Sequence, residues 1–273
     1  MTLESQELEC LPGTTLYHCT AGDPKGIPII LIHGWGADHR YFDFQLEVLK
    51  DFRLILPDIE GFGSSSTEKK PRSFSIKDQA DKIHRLALSL GIEDAIIIGH
   101  SMGGMIALEI ARTHPSFVRG LILEDTSPGL RRVRFTNTIS ALGFLLYGAP
   151  GPLRRFFALR WAISFEHSSP EAKGMITEYA TISCCASLVR YVKAMRKWSF
   201  QSDVATMEIP TLILRGQEDR LLGADHTVLL ETCFPESRTM ILPECGHSPH
   251  LERPTLFNES ILDFIGTLNG SVR

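Results

Sequence analysis

The chain carries little of what marks several large classes of protein. Its six cysteines (Cys10, Cys19, Cys184, Cys185, Cys233 and Cys245) include no Cys-x-x-Cys pair, so neither a zinc site nor a thioredoxin-like motif is expected. The adjacent pair Cys184-Cys185 suits a reduced, packed helix rather than a disulfide framework. No apolar run reaches the roughly 18 residues that cross a membrane, so no integral membrane segment is expected. The first thirteen residues carry Glu4, Glu7 and Glu9 instead of a basic-then-apolar leader, which argues against a secretory signal and for the cytoplasm. Net charge is only −4, so nothing global points to nucleic acid or to an anionic surface. There is no internal repeat and no low-complexity tract.

What is present is a 273-residue chain that is 43% hydrophobic and 22% charged, ordinary values for a globular protein with a large core. Short apolar runs recur at Pro28–His33, Phe52–Pro57, Ala95–Ile98, Gly120–Leu123, Thr211–Leu214 and Thr239–Leu242. They are apolar without alternation, the pattern of parallel strands covered on both faces. Leu3–Glu9 and Thr15–Cys19 read as an antiparallel hairpin turning through Pro12-Gly13. Helices are expected at Phe44–Asp51, Ile76–Leu90, Met102–Thr113, Ala224–Cys233 and Pro254–Leu268. The second places Ile76, Ala80, Ile83, Ala87 and Leu90 at helical spacing. Alternation of this kind implies an α/β protein, a mostly parallel sheet flanked by helices.

One region breaks the rhythm. From Pro128 to about Asp203 no strand-like run occurs, and about seventy-five residues is too long for a loop. The expectation is a helical insertion at 128–203, inside a core formed by 1–127 and 204–273. The insertion holds eleven Lys or Arg against four acids, a net charge of +7, which leaves −11 on the remainder. This excess reads first as a solvated surface and second as a means of recruiting anionic substrates. Ala141–Tyr147 and Phe156–Trp161 are its most apolar stretches. Leu145, Phe157 and Trp161 are therefore candidates to line a hydrophobic cavity.

Three pieces of sequence carry chemistry. Gly99-His100-Ser101-Met102-Gly103 follows an apolar run and opens a helix. In that context Gly-x-Ser-x-Gly is a nucleophile elbow, whose glycines permit a turn tight enough to lift the Ser101 Oγ out of the sheet. His33-Gly34-Trp35-Gly36 follows the first buried strand. A loop there supplies one main-chain N–H to an oxyanion hole, and the residue after the nucleophile supplies the other, which designates Trp35 and Met102. His33, Gly34 and His100 stand beside them as candidate pocket residues. A serine hydroxyl also needs a base. His247, after the last strand, is the best placed of ten histidines, and the acid should follow the preceding strand, where Glu218 and Asp219 lie. The chain order of Ser, acid and His fits.

Together these motifs resemble the α/β-hydrolase superfamily, in particular its small capped esterase- and lipase-like serine hydrolases. The likeness runs through His33–Gly36, Asp58-Ile-Glu-Gly61-Phe-Gly63-Ser64, Gly99–Gly104, Gly216–Asp219, and Gly246-His247 with Glu252 and Pro254. It implies an eight-stranded, mostly parallel sheet with a helical cap inserted after the sixth strand. The family pattern Gly-x-x-Asp falls on Asp219, with Asp125 the alternative acid position of some relatives. Glu60 departs from the arginine that relatives often carry. The implied activity is carboxylic ester hydrolysis through an acyl-enzyme, on a small-molecule ester with a hydrophobic acyl or alcohol group. No metal or organic cofactor is expected, and the chain is expected as a monomer or homodimer. Ser101 sets the chain apart from haloalkane dehalogenases and epoxide hydrolases, which place aspartate at the elbow, and from dienelactone hydrolases, which place cysteine. Ser248 stands where carbon–carbon bond hydrolases commonly carry tryptophan. Carbon–carbon hydrolysis, cofactor-free perhydrolysis and a slow-turnover ligand receptor on the same fold stay open as alternatives.

Overall fold

The fold is described from a computed structural model. Residues 3–11, 14–65, 74–130, 170, 174–175, 185–200 and 207–270 are described. Eight strands form one sheet: β1 (Glu4–Leu11), β2 (Thr14–Gly22), β3 (Pro28–Ile32), β4 (Arg53–Pro57), β5 (Ala95–His100), β6 (Val118–Glu124), β7 (Thr211–Gly216) and β8 (Arg238–Leu242). Their order is β1-β2-β4-β3-β5-β6-β7-β8. The β1–β2 and β2–β4 pairs are antiparallel, and every other pair is parallel.

The unbroken apolar runs have a direct explanation. Ile30, Ile32, Ile97, Leu121, Leu123 and Ile213 point into one apolar cluster. Ile29, Leu31, Ile96, Ile98, Ile122, Leu212 and Leu214 point into the other. The interior strands are buried on both faces because helices cover both, whereas β8 at the sheet edge, expected to be covered like them, leaves Ile241 56% exposed. These helices are α1 (Asp43–Leu46), α2 (Ile76–Ser89), α3 (Met102–Thr113), α4 (Cys185–Lys197), α5 (Ala224–Cys233), α6 (Pro249–Glu252) and α7 (Pro254–Gly270). Helix α2 begins with a capping box: the Ser75 hydroxyl accepts the Asp78 N–H at 3.0 Å, and the Asp78 side chain accepts the Ser75 N–H.

One expected helix is corrected. The helix expected over Phe44–Asp51 is the single turn α1, because residues 47–52 are drawn into tertiary contacts. The Asp23 N–H bonds the carbonyls of Lys50 and Phe52 at 2.9 and 3.0 Å, which turns the chain into β4. Glu60, where arginine was the family habit, is buried and ion-paired with Lys82 of α2.

Of the segment between β6 and β7, α4 is described, and it packs on the core. Leu188, Tyr191, Val192 and Met195 join the apolar cluster of α2 and α3. Three hydrogen bonds fix it: Trp35 Nε1 to the Leu188 carbonyl at 2.9 Å, Tyr191 Oη to the Glu60 carbonyl at 2.7 Å, and Trp198 Nε1 to the Glu109 carboxylate at 3.0 Å. The candidate pocket residues Leu145, Phe157 and Trp161 lie outside the described residues. Among the described residues, no helix is long and apolar enough to cross a membrane.

Candidate active site

Only Ser101 separates β5 from α3, so the chain must reverse within one residue. It does so at φ 52, ψ −115, a left-handed conformation that costs a non-glycine residue roughly 1–3 kcal/mol. The turn leaves no room for flanking side chains. A Cβ on Gly103 would stand 2.1 Å from the Ile32 carbonyl oxygen. The Ser101 N–H bonds the Glu124 carbonyl at 2.9 Å, and Thr126 Oγ1 donates to the Ser101 carbonyl at 2.6 Å. The hydroxyl therefore projects from a backbone held on both sides.

The structure brings Ser101, His247 and Asp219 together. His247 Nε2 lies 3.0 Å from Ser101 Oγ, and His247 Nδ1 lies 2.9 Å from Asp219 Oδ2. The carboxylate accepts at Nδ1, so Nδ1 carries the proton and Nε2 is left as the acceptor facing the serine. Asp219 Oδ1 accepts the N–H groups of Leu221 at 2.7 Å and Leu222 at 3.2 Å. Burial opposes the charge on Asp219, but His247 and these donors hold its carboxyl below the usual carboxylate range. On His247 burial again opposes charge, and Asp219 outweighs it, so the imidazole lies above the ordinary histidine value. Glu218, the neighbouring candidate acid, contributes its backbone N–H to the Cys245 carbonyl at 2.8 Å.

The loop carrying His247 is fixed from several directions. Glu252 accepts the N–H groups of Gly246 and Ser248, each at 3.0 Å. Tyr41 Oη and Ser248 Oγ lie 2.7 Å apart. Fully buried Glu124 accepts the His250 N–H at 2.9 Å and His250 Nδ1 at 2.6 Å. His100 Nε2 donates to the His247 carbonyl at 2.7 Å.

The remaining candidates take separate positions. Gly34 lies against the nucleophile: a Cβ there would be 2.6 Å from His100 Nδ1 and 3.4 Å from Ser101 Cβ. Met102 is the first residue of α3, where helical N–H groups have no partner within the helix, and Trp35 directly follows Gly34, its indole on the Leu188 carbonyl. His33 is wholly buried, with its Nδ1 donating to the Gly34 carbonyl at 2.8 Å and its Nε2 accepting the Ile59 N–H at 2.9 Å. It braces two loops and offers no atom to a ligand. Asp125, the alternative acid, sits beside Asp219. Glu124, His250 and Tyr41 were not singled out in the sequence, because their contacts arise where separate loops meet and no spacing encodes them.

Two groups among the described residues have the make-up of metal ligands: Asp38, His39 and Asp58, and Asp125, Asp219 and His247. In both, the donors are committed to hydrogen bonds. Asp58 accepts the His39 N–H and ring at 2.8 Å each and the Ser64 N–H at 2.7 Å. Burial opposes the charge on His39, yet Asp58 pushes its pKa up to about 10, so this is an ion pair.

The chain matches the model of the α/β-hydrolase fold family over residues 27–254. It belongs to that family. It is similar to lipase 1 of Psychrobacter immobilis, 24% identical over 257 residues that cover 92% of this chain and 80% of the lipase. It is also similar to the pimeloyl-[acyl-carrier protein] methyl ester esterase of Yersinia enterocolitica, 26% identical over 267 residues, 90% of this chain and 95% of that one. A thermophilic esterase from Thermogutta terrifontis superimposes with a TM-score of 0.83 at 23% identity, covering 98% of this chain and 99% of the other, a likeness of fold. The class of esterase-like hydrolases expected from the motifs recurs among these relatives.

Proposed function

We propose that the chain is a serine esterase that hydrolyses carboxylic esters through an acyl-enzyme. The observation that supports this most directly is the unbroken relay from Ser101 Oγ through His247 to Asp219, at 3.0 and 2.9 Å. Ser101 Oγ attacks the ester carbonyl carbon while His247 Nε2 takes the hydroxyl proton. The main-chain N–H groups of Trp35 and Met102 receive the oxyanion. When the tetrahedral intermediate collapses, the carbon–oxygen bond to the alcohol breaks and His247 returns the proton to the leaving oxygen. Water then attacks the acyl-serine with the same base, which releases the acid and restores Ser101. Asp219 orients the imidazole and stabilises its charged form throughout.

The names of the relatives, lipase and methyl ester esterase, favour an ester with a hydrophobic acyl or alcohol portion. We assign residues 128–203 to a helical cap over the site, which would select that portion. We place the chain in the cytoplasm, where Cys19, Cys233 and Cys245 would remain the free thiols they are here. No feature of the described residues favours the carbon–carbon hydrolase, perhydrolase or receptor alternatives.

The test is turnover of p-nitrophenyl esters of increasing acyl length by the wild type, Ser101→Ala and His247→Ala. The expected result is turnover by the wild type and a loss of about 10⁴-fold or more in both variants. Wild-type turnover by Ser101→Ala would overturn the reading.

A further inference from the structure

Two carboxyl groups lie behind His247. Asp125 follows β6 and Asp219 follows β7, and the parallel pairing of Glu124 with Leu214 sets these strand ends side by side. A carboxylate oxygen of each and a ring nitrogen of His247 all lie within 4.8 Å of one another. Both are buried, Asp125 at 4% exposure and Asp219 at 6%. The surroundings of the two differ. Asp219 accepts three hydrogen bonds, from Leu221, Leu222 and His247. Among the described residues, Asp125 faces one donor, the Gly216 N–H, which is shared between its oxygens at 3.1 and 3.2 Å. Its backbone is held at φ 37, with its N–H on the Leu214 carbonyl at 2.9 Å.

Two buried carboxyl groups with oxygens within 4.8 Å disfavour a second negative charge, and a proton on one of them would allow a hydrogen bond between the two. The charge belongs where the donors are, on Asp219. We propose that Asp125 is a positioning residue that keeps its proton at neutral pH and donates it in a hydrogen bond to the Asp219 carboxylate. The acid behind His247 is then a singly protonated carboxyl pair. Asp125 supplies a fourth donor to Asp219, holds that carboxylate ionised, and keeps its Oδ2 turned to the imidazole. The kinetic consequence rests on the esterase reading; the protonation state does not.

The electrostatics agree with this assignment. Burial drives the Asp125 carboxyl well above the usual range, with the charges of Asp219 and Glu124 adding to it, whereas Asp219 lies below that range. Among the described residues, the other titratable groups near the pair are His247 and Cys245 on the base loop and buried Tyr41, with Arg215 of β7 and His226 of α5 around the small cleft beside Asp125. His226 is held neutral by burial, and its Nδ1 is engaged with Ser127 Oγ at 2.7 Å. Burial also keeps the Cys245 thiol protonated.

Asparagine at position 125 reproduces a neutral acid: its oxygen accepts from Gly216 and its amide donates to Asp219. Leucine fills the same space and does neither. The expected result is that Asp125→Asn keeps kcat/KM within about twofold and leaves the acid limb of its pH profile in place, while Asp125→Leu loses about 10- to 100-fold in kcat. If Asp125 were instead a second carboxylate, Asp125→Asn would lower kcat and move the acid limb to lower pH, and that result overturns the proposal. Wild-type kcat in folded Asp125→Leu also overturns it. Infrared spectroscopy at neutral pH gives a readout independent of turnover. The wild type is expected to show a protonated-carboxyl carbonyl band that Asp125→Asn lacks, and a wild type without the band contradicts the proposal. A protein that keeps the band but turns over no ester leaves the carboxyl pair standing and removes the esterase reading alone.

Discussion

His100 donates its Nε2–H to the backbone carbonyl of His247 at 2.7 Å, so the residue before the candidate nucleophile grips the residue that carries its base. Burial, with the charges of His250 and His247 adding to it, pushes the His100 imidazole well below the ordinary histidine range. It is therefore neutral, with its one proton on Nε2. The distance between Ser101 and His247 is set by two strand ends and by this bond across them.

Replacing His100 by phenylalanine keeps the ring and removes the donor, leaving the His247 carbonyl without its partner. A buried acceptor left unsatisfied costs about 1–3 kcal/mol. The cost should fall on the position of the base, so kcat is expected to drop about tenfold or more while KM changes little. Steady-state kinetics on one ester, with circular dichroism to verify folding, checks this.

The pH profile follows from the His247 shift. As a base it must be neutral, and its pKa lies above the ordinary 6.5 because Asp219 outweighs the effect of burial. Activity is therefore lost as pH falls through a midpoint above 6.5 in the free enzyme. Asp219→Asn removes the charge that raises it, so the acid limb of kcat/KM is expected to move to lower pH while the plateau falls.

Gly34 tests how closely its loop approaches the nucleophile. A Cβ there would stand 2.6 Å from His100 Nδ1 and 3.4 Å from Ser101 Cβ. Gly34→Ala must displace His100, and with it the His247 carbonyl. A fall of about 10²-fold in kcat with a folded protein is expected from a shift of about 1 Å.

Stability away from the chemistry is tested by the Lys82–Glu60 pair. Both side chains are buried, at 7% and 4% exposure. Removing one partner leaves an uncompensated charge, so Lys82→Met is expected to destabilise by about 3–5 kcal/mol. The double variant Lys82→Met/Glu60→Gln should recover most of that loss. Urea denaturation measures both.

The sequence carried the sheet well because buried strands declare themselves: Ile29–Ile32 and Ile96–Ile98 are apolar at every position, and the structure faces alternate residues to opposite clusters. Met102–Thr113 and Ala224–Cys233 match α3 and α5 residue for residue. The short α1 was not legible, since the path of the chain after it is set by bonds from Asp23, twenty residues upstream of α1, to the Lys50 and Phe52 carbonyls. That Ser101, His247 and Asp219 meet was legible because each follows a strand end in a fixed order. His33, a candidate pocket residue, is wholly buried with both ring nitrogens engaged, since a motif names neighbours without saying which way a ring turns. Glu60 read as a simple departure until Lys82, a turn and a half into α2, was found beside it.

The central claim, that Ser101 is the nucleophile activated by His247, is tested most directly by labelling with a fluorophosphonate. The account predicts one adduct per chain, located on Ser101 by peptide mass mapping, formed in proportion to the loss of ester turnover and sharply slowed in His247→Ala. An adduct on another residue, or full turnover from a chain fully labelled at Ser101, would contradict it.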